Sequence, residues 1–226
     1  MESWRLSAKL GCTLLSYPSR YQEARSSRTL LEIGSGPYGI GTYRKVPFTG
    51  CDLSFAIKEQ WPMTQLVASA ADLPVADRSF DIVLASDVLE HIPPSLRVQV
   101  IRETLRAADK LVIFGFPCGK EAHDSDRALR QEYLDNKLQV PEWLEEHMEA
   151  DFPEPSLFSN LPGWQVEQFS NESLSFHRWM MKREMNPLFI RVTSKFTRVF
   201  PGISDKVLRN VDGNPSYRQI FVLTRT

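Results

Sequence analysis

A mostly apolar run, Leu30-Leu31-Glu32-Ile33, passes directly into Gly34-Ser35-Gly36, and this junction constrains the fold more than any other feature of the chain. A buried strand of this kind must end in a turn. Glycine permits φ > 0 there and puts no Cβ between the main chain and an approaching group. Read literally, Gly34-x-Gly36-x-x-Gly39 is the fingerprint of dinucleotide-binding α/β units. A pyrophosphate, however, wants helix N-terminal amides and little negative charge around it. Glu32, two residues before the first glycine, opposes that and favours a ligand carrying positive charge.

The rest of the chain repeats the strand-then-turn grammar. The first strand is read as Thr29–Ile33 and the second as Phe48–Cys51, ending at Asp52. Between them, residues 37–47 hold two glycines and two prolines, leaving room for a short helix at most. A third strand is expected near Thr64–Val67 and a fourth at Phe80–Leu84, apolar except for Asp81 as a doubly covered parallel strand should be. Pro93-Pro94 opens a helix with Val98, Ile101, Leu105 and Ala108 on one side, and a fifth strand follows at Leu111–Phe116. Beyond it, helices are expected over Asp126–Leu138 and Val140–Met148, a sixth strand over Trp164–Phe169, and a helix from Asn186-Pro187 to a stop at Pro201-Gly202. Tyr217–Thr224 reads as a final strand, and residues 1–28 as a helix around Trp4–Leu15 followed by a polar loop.

Alternating strands and helices imply a parallel α/β sheet with right-handed crossovers. Ligands of such sheets sit at the carboxyl ends of the strands, where the strand order reverses. Glu32 to Gly36, Asp52, Asp72 and Ser86 to His91 all fall at or just after such ends, so four separate segments converge on one rim.

Taken together, Leu31-Glu32-Ile33-Gly34-Ser35-Gly36, Gly50-Cys51-Asp52-Leu53-Ser54, Ala70-Ala71-Asp72-Leu73-Pro74, Ser79-Phe80-Asp81-Ile82-Val83 and Asp87-Val88-Leu89-Glu90-His91-Ile92 resemble the class I methyltransferases that use S-adenosylmethionine (SAM). Within them the match resembles the small-molecule branch related to ubiquinone and menaquinone methylases. It covers Thr29–Phe116 and little of the remainder. The resemblance implies a doubly wound, mostly parallel seven-stranded Rossmann-like sheet with an antiparallel last strand. It implies SAM as cofactor and S-adenosylhomocysteine (SAH) as product. It places Glu32, Gly34, Ser35 and Gly36 at the amino acid end of the cofactor. Asp52, with Leu53 beside it, falls at the ribose, Ala71, Asp72 and Leu73 at the adenine edge, and Ser86 and Asp87 at the methionine portion. The expected organisation is a single domain made of an N-terminal helical segment (1–28), a SAM-binding core (29–120), and acceptor-side helices that also complete the sheet (121–226). The acceptor implied is a small molecule, with an oxygen of a sugar, quinone precursor or lipid-linked glycan as target.

Methyl transfer is an in-line displacement on an already activated sulfonium, so alignment should supply most of the catalysis. A base is needed only for a poor nucleophile such as a hydroxyl. His91 at the rim and His123, in an expected polar loop after the fifth strand, are the candidates. His147 lies on an apolar helix face and reads as packed. By resemblance to some relatives, Glu90, His91 and a later histidine could bind a metal, but no ligand pair has the i, i+4 helical spacing, and no metal is assigned. Cys118 could be read as the nucleophile of a cytosine methylase, but Gly115, Pro117 and Gly119 around it make a tight turn the better reading.

Composition bounds the partners. Twenty-seven basic and 28 acidic residues leave no global field to draw the chain to nucleic acid, and the motif of amino-group methylases after the fourth strand is absent. Three scattered cysteines give no disulfide framework, which fits a reduced, cytoplasmic compartment. No apolar run approaches the ~20 residues of a membrane span, and Arg5, Lys9 and Gly11 interrupt any signal-peptide core. The base-rich stretch Arg178–Arg209 forms part of a helical insertion, 174–209, that could cover the acceptor pocket or a homodimer surface. It could also touch an anionic or lipid-linked substrate, or a membrane surface peripherally. A monomer or homodimer is expected. Two other function classes stay open: a SAM-binding partner subunit without catalysis, and a nicotinamide-dependent oxidoreductase.

Overall fold

The computed structural model describes residues 29–42, 45–199 and 211–226. The segment 1–28 with its expected helix, and the expected stop at Pro201-Gly202, lie outside the described residues. Seven strands form one sheet: β1 (Leu30–Ile33), β2 (Phe48–Asp52), β3 (Met63–Val67), β4 (Phe80–Ser86), β5 (Ala108–Pro117), β6 (Trp164–Ser173) and β7 (Ser216–Arg225). Their order is β3-β2-β1-β4-β5-β7-β6, with the last strand antiparallel, so this is the doubly wound Rossmann-like sheet expected from the sequence. β1 pairs in parallel with both β2 and β4, and the direction of winding reverses between β1 and β4.

Residue contacts divide the chain into two compact units. One holds Met1–Phe116, Ser156–Gln168 and Ile220–Thr226; the other holds Pro117–Pro155 and Phe169–Gln219.

In the first unit, the described part of the short connection after β1 holds a 3-10 turn, Gly39–Thr42, in keeping with the proline and glycine content of this stretch. Leu31, Ile33, Val83, Ala85, Val112 and Phe114 are buried on their strands, and Phe158 stacks on Phe221 at 4.2 Å between ring centroids. The helix α1 (Pro94–Ala107) starts with proline in its first turn. Its buried face is Arg97, Val100, Ile101, Thr104 and Ala107. The expected face of Val98, Ile101, Leu105 and Ala108 is corrected: Val98 is 45% exposed and Ala108 already belongs to β5. An apolar count treats Arg97 and Thr104 as outward. Yet the Arg97 stem can lie against apolar surface while its Nε donates to Ile92 O at 2.9 Å, and Thr104 Oγ1 donates to Val100 O.

The second unit contains α2 (Gly119–Asp135), α3 (Glu142–Glu146), α4 (Leu174–Glu184) and α5 (Pro187–Val199). Ser173 caps α4 by accepting from Phe176 N, and Asn186 Oδ1 accepts from Leu188 N at the start of α5. Two apolar clusters hold it together, one of Ala122, Phe152 and Tyr217, the other of Leu129, Leu144 and Met181. α2 starts seven residues before the expected Asp126, so a stretch expected as a polar loop is helix.

Candidate SAM-binding site

The rim at the β1–β4 switch is built mainly by main-chain geometry. After Ile33 the chain turns through Gly34 at φ +68° and Gly36 at φ +54°. Gly34 N and Ser35 N both donate to Cys51 O, at 2.8 and 3.2 Å, which ties the turn to the end of β2. A Cβ on Gly34 would lie 2.3 Å from Val88 Cγ2, so the turn also nests against the loop after β4. Gly36 differs: a Cβ there would meet nothing within 4 Å. Its backbone borders open space, and the left-handed φ is what turns that backbone to the rim.

Asp52 stands at the end of β2 and is fixed by two main-chain donors. Gly36 N reaches its Oδ2 at 2.8 Å and Leu53 N reaches its Oδ1 at 2.7 Å. Each carboxylate oxygen accepts more than one hydrogen bond, so further acceptor capacity remains. Leu53 beside it is 73% exposed and offers an apolar surface. A held carboxylate, an exposed apolar side chain and a glycine with room above it suit a ligand with a hydroxylated ring and a flat base, as SAM has.

Glu32 is placed differently from a rim carboxylate. It is buried, and Ile40 N donates to its Oε2 at 2.7 Å. A Cβ on Gly39 would come within 2.2 Å of the same oxygen, so Gly39 is what lets the loop close over the carboxyl group. Burial pushes its pKa up to about 8, against the Ile40 N–H, which favours the charged form. Its support of the site therefore runs through the loop. The electrostatic argument against a pyrophosphate weakens accordingly, because near neutral pH the group is largely protonated.

On the far side of the rim, Asp72 is exposed and its main chain bridges to Ser69. Leu73 is buried, with its N–H donating to Glu103 Oε2 and its carbonyl accepting from Arg106. Those two groups hold the loop. Ala71 N donates to Ser69 Oγ at 3.2 Å, longer than the best hydrogen bonds, and its carbonyl accepts from Gln99. Ser86 and Asp87 close β4. Asp87 has φ +55°, its N donates to Gly115 O, and Ser86 Oγ donates to its Oδ2. A non-glycine residue held left-handed at the rim is the local strain that functional turns carry.

The two base candidates end in different units. His91 is exposed, in a 3-10 turn, Leu89–His91, after β4. His123 belongs to the second unit and is corrected: it lies inside α2, 5% exposed, with Nε2 3.0 Å from His147 O and Nδ1 3.3 Å from Asp151 Oδ1 and 3.4 Å from an Arg127 nitrogen. Both ring nitrogens are engaged in the fold, which leaves no open one for an acceptor's proton. His147 is buried as expected, its Nδ1 2.7 Å from Asp126 Oδ2. Cys118 is buried, Sγ donates to Pro153 O, and burial pushes the thiol up to about 12, so it is a turn residue and no nucleophile.

Sequence reasoning missed a buried polar cluster in the second unit. Asp126 accepts from Tyr217 Oη at 2.6 Å, and His177 stacks on the Tyr217 ring at 3.3 Å. The His177 ring lies 3.6 Å from Asp126 Oδ1 and 3.4 Å from Glu172 Oε1. Burial opposes the charge on His177, but the two carboxylates outweigh it and raise its pKa to about 9. Asp126 is held below the usual carboxylate range, since His147 and His177 outweigh its own burial. The only sequence signal is one of density: Asp126, His147, Glu172 and His177 are spread over 52 positions of otherwise ordinary helix and strand. A separate groove in the first unit, lined by Val98, Ile101, Leu105, Leu161 and Trp164, shares no residue with the rim.

A sheet of this order, with a glycine turn after β1 and a carboxylate fixed at the end of β2, defines a class I methyltransferase core. Residues 31–113 match the methyltransferase domain family. No curated protein is recognisably similar in sequence. Among similar solved structures, one from Galdieria sulphuraria, assigned as a sarcosine dimethylglycine methyltransferase, is 14% identical; it covers 100% of this chain and 87% of its own, with a TM-score of 0.58. The plantazolicin methyltransferase BpumL, in complex with a monoazolic desmethylPZN analog and SAH, is also 14% identical, with 100% and 86% coverage and a TM-score of 0.58. Magnesium protoporphyrin IX methyltransferase (ChlM) from Synechocystis PCC 6803, with bound SAH, is 10% identical, with 98% and 85% coverage and a TM-score of 0.54.

Proposed function

We propose that the protein transfers the methyl group of SAM to a small-molecule acceptor, with an oxygen of a sugar, a quinone precursor or a lipid-linked glycan as the target. The observation that carries the cofactor half is Asp52, fixed by Gly36 N and Leu53 N beside open space at Gly36. SAM supplies an activated methyl group on a sulfonium. The protein's own residues bind and orient. Asp52 accepts from the ribose hydroxyls, the Gly34–Gly36 turn and the Glu32-held loop border the amino acid end, and Ala71 and Asp72 meet the adenine edge. Ser86 and Asp87 lie toward the methionine portion. Ordering both partners in one line can lower the barrier by several kcal/mol without any covalent step.

A hydroxyl acceptor also needs its proton removed, and His91, exposed after β4, is the residue proposed for that step. The small-molecule reading is supported by the names of the similar structures, which carry plantazolicin and magnesium protoporphyrin IX. The experiment is SAH release, measured across a panel of sugar, quinol and glycolipid acceptors, with the wild type and His91→Asn. Turnover with one class identifies the acceptor, and loss of the rising limb of its pH profile in His91→Asn assigns the base. SAH binding without turnover on any acceptor would favour the non-catalytic subunit instead.

A further inference from the structure

α5 leaves four of its apolar residues exposed. Leu188, Val192, Phe196 and Val199 are 66, 59, 44 and 56% exposed. At 100° per residue they occupy one arc of about 80°. Arg191 and Lys195 fall along one edge of that arc and are exposed as well. Past the other edge of that arc the helix packs on α4: Phe189 meets the Trp179 ring edge-on at 6.2 Å, and Ile190, farther round, is half-buried. The unburied stripe is therefore additional to the packing of the helix, and a contiguous apolar surface of this kind marks an interaction site.

We propose that this face of α5 docks on an anionic lipid bilayer. The charge pattern selects that occupant. Residues 174–199 contain six basic residues and one acidic one, Glu184. Arg178 and Lys182 are engaged with Glu132, but Arg191 and Lys195 flank the stripe with no carboxylate opposite them among the described residues. Apolar side chains buried to the acyl boundary, with cations beside them at the headgroup level, are the arrangement of an interfacial amphipathic helix. Trp179, 48% exposed with the Arg183 guanidinium 5.8 Å above its ring, suits the same depth. A second copy of the chain on this face would bring two base-rich segments together, which like-charge repulsion disfavours. No helix of the described residues is long and apolar enough to cross a membrane, so the contact is peripheral. The proposal does not depend on the acceptor or on the cofactor site.

The test is co-sedimentation of the full chain with vesicles of pure phosphatidylcholine, and with vesicles holding about one quarter phosphatidylserine. The expected result is binding to the anionic vesicles only, weakened by salt. Arg191→Glu/Lys195→Glu should abolish it, and Val192→Glu/Phe196→Glu should do so independently. Neutralising either cation alone should weaken binding about fivefold. Each of these side chains is exposed, so thermal melting and SAH binding should match the wild type and show that the variants fold. Three results would overturn the proposal: no binding to anionic vesicles, equal binding to neutral ones, or binding that survives both double variants. A concentration-dependent dimer lost on Val192→Glu/Phe196→Glu, without vesicle binding, would assign the face to a second copy instead.

Discussion

Two sets of carboxylates distinguish the halves of this molecule. At the rim of the first unit, Asp52 is held by main-chain N–H groups and keeps lone pairs for something else. In the second unit, Asp126 is fully buried and turned toward His147, His177 and Tyr217. Both are acidic residues close to histidines or glycines in sequence, and composition alone would not rank one above the other. The difference lies in what satisfies them. A carboxylate fixed by the backbone beside open space is positioned for a ligand, whereas one whose partners are buried side chains is committed to the fold. Glu32 combines the two: a main-chain N–H holds it, as at Asp52, but it is buried, as Asp126 is.

The contrast breaks most visibly if Asp126 proves dispensable. Asp126→Ala leaves buried His147 without its carboxylate and His177 with Glu172 alone, and should cost about 3–5 kcal/mol in urea unfolding. Its effect on SAH affinity, measured under conditions where it stays folded, should be small. A near-neutral unfolding result would show that the cluster is not what holds the second unit together.

Glu32 sharpens the same distinction through pH. Its folded pKa, about 8, lies above its ordinary 4.5. The folded state therefore binds more protons than the unfolded state between those values. The stability it contributes is complete below pH 4.5 and is lost as pH rises through 8. Glu32→Gln, which cannot ionise, should become more stable relative to wild type across that window, by on the order of a few kcal/mol at its alkaline end. Identical pH dependence in urea unfolding would mean that the carboxyl is not buried. His177 is also raised, to about 9, and weakens the fold in the same direction as pH rises from 6.5. Only the difference between variant and wild type isolates Glu32.

The smallest effect is expected at the turn. Gly36→Ala has room for its Cβ but must hold φ +54°, at a cost of about 1–2 kcal/mol. Gly34→Ala adds a clash with Val88 and should cost more in thermal melting. The order of the two variants is the check, since equal costs would contradict the nested placement of Gly34.

What could be read from the sequence follows the same divide. The strands up to β5 were legible because most end in a turn residue or a lone carboxylate, which also put Gly34, Asp52 and Asp87 at strand ends. The buried face of α1 was not, because Arg97 and Thr104 count as polar in any pattern, although Arg97 Nε and Thr104 Oγ1 each donate to a nearby carbonyl. His123 was misplaced because Lys120, Glu121, Asp124 and Asp126 make the start of α2 look like loop. The Asp126 cluster was invisible because its members meet only in three dimensions.

The central claim is that the cofactor is held at the rim of the first unit and not by the polar cluster of the second. Calorimetric titration of SAH into wild type, Asp52→Ala and His177→Gln tests it most directly. Loss of the charge-assisted hydrogen bonds in Asp52→Ala should weaken a micromolar-range affinity about 10- to 100-fold, while folded His177→Gln should bind SAH as the wild type does. No heat with wild type, or equal affinity in Asp52→Ala, would contradict the account.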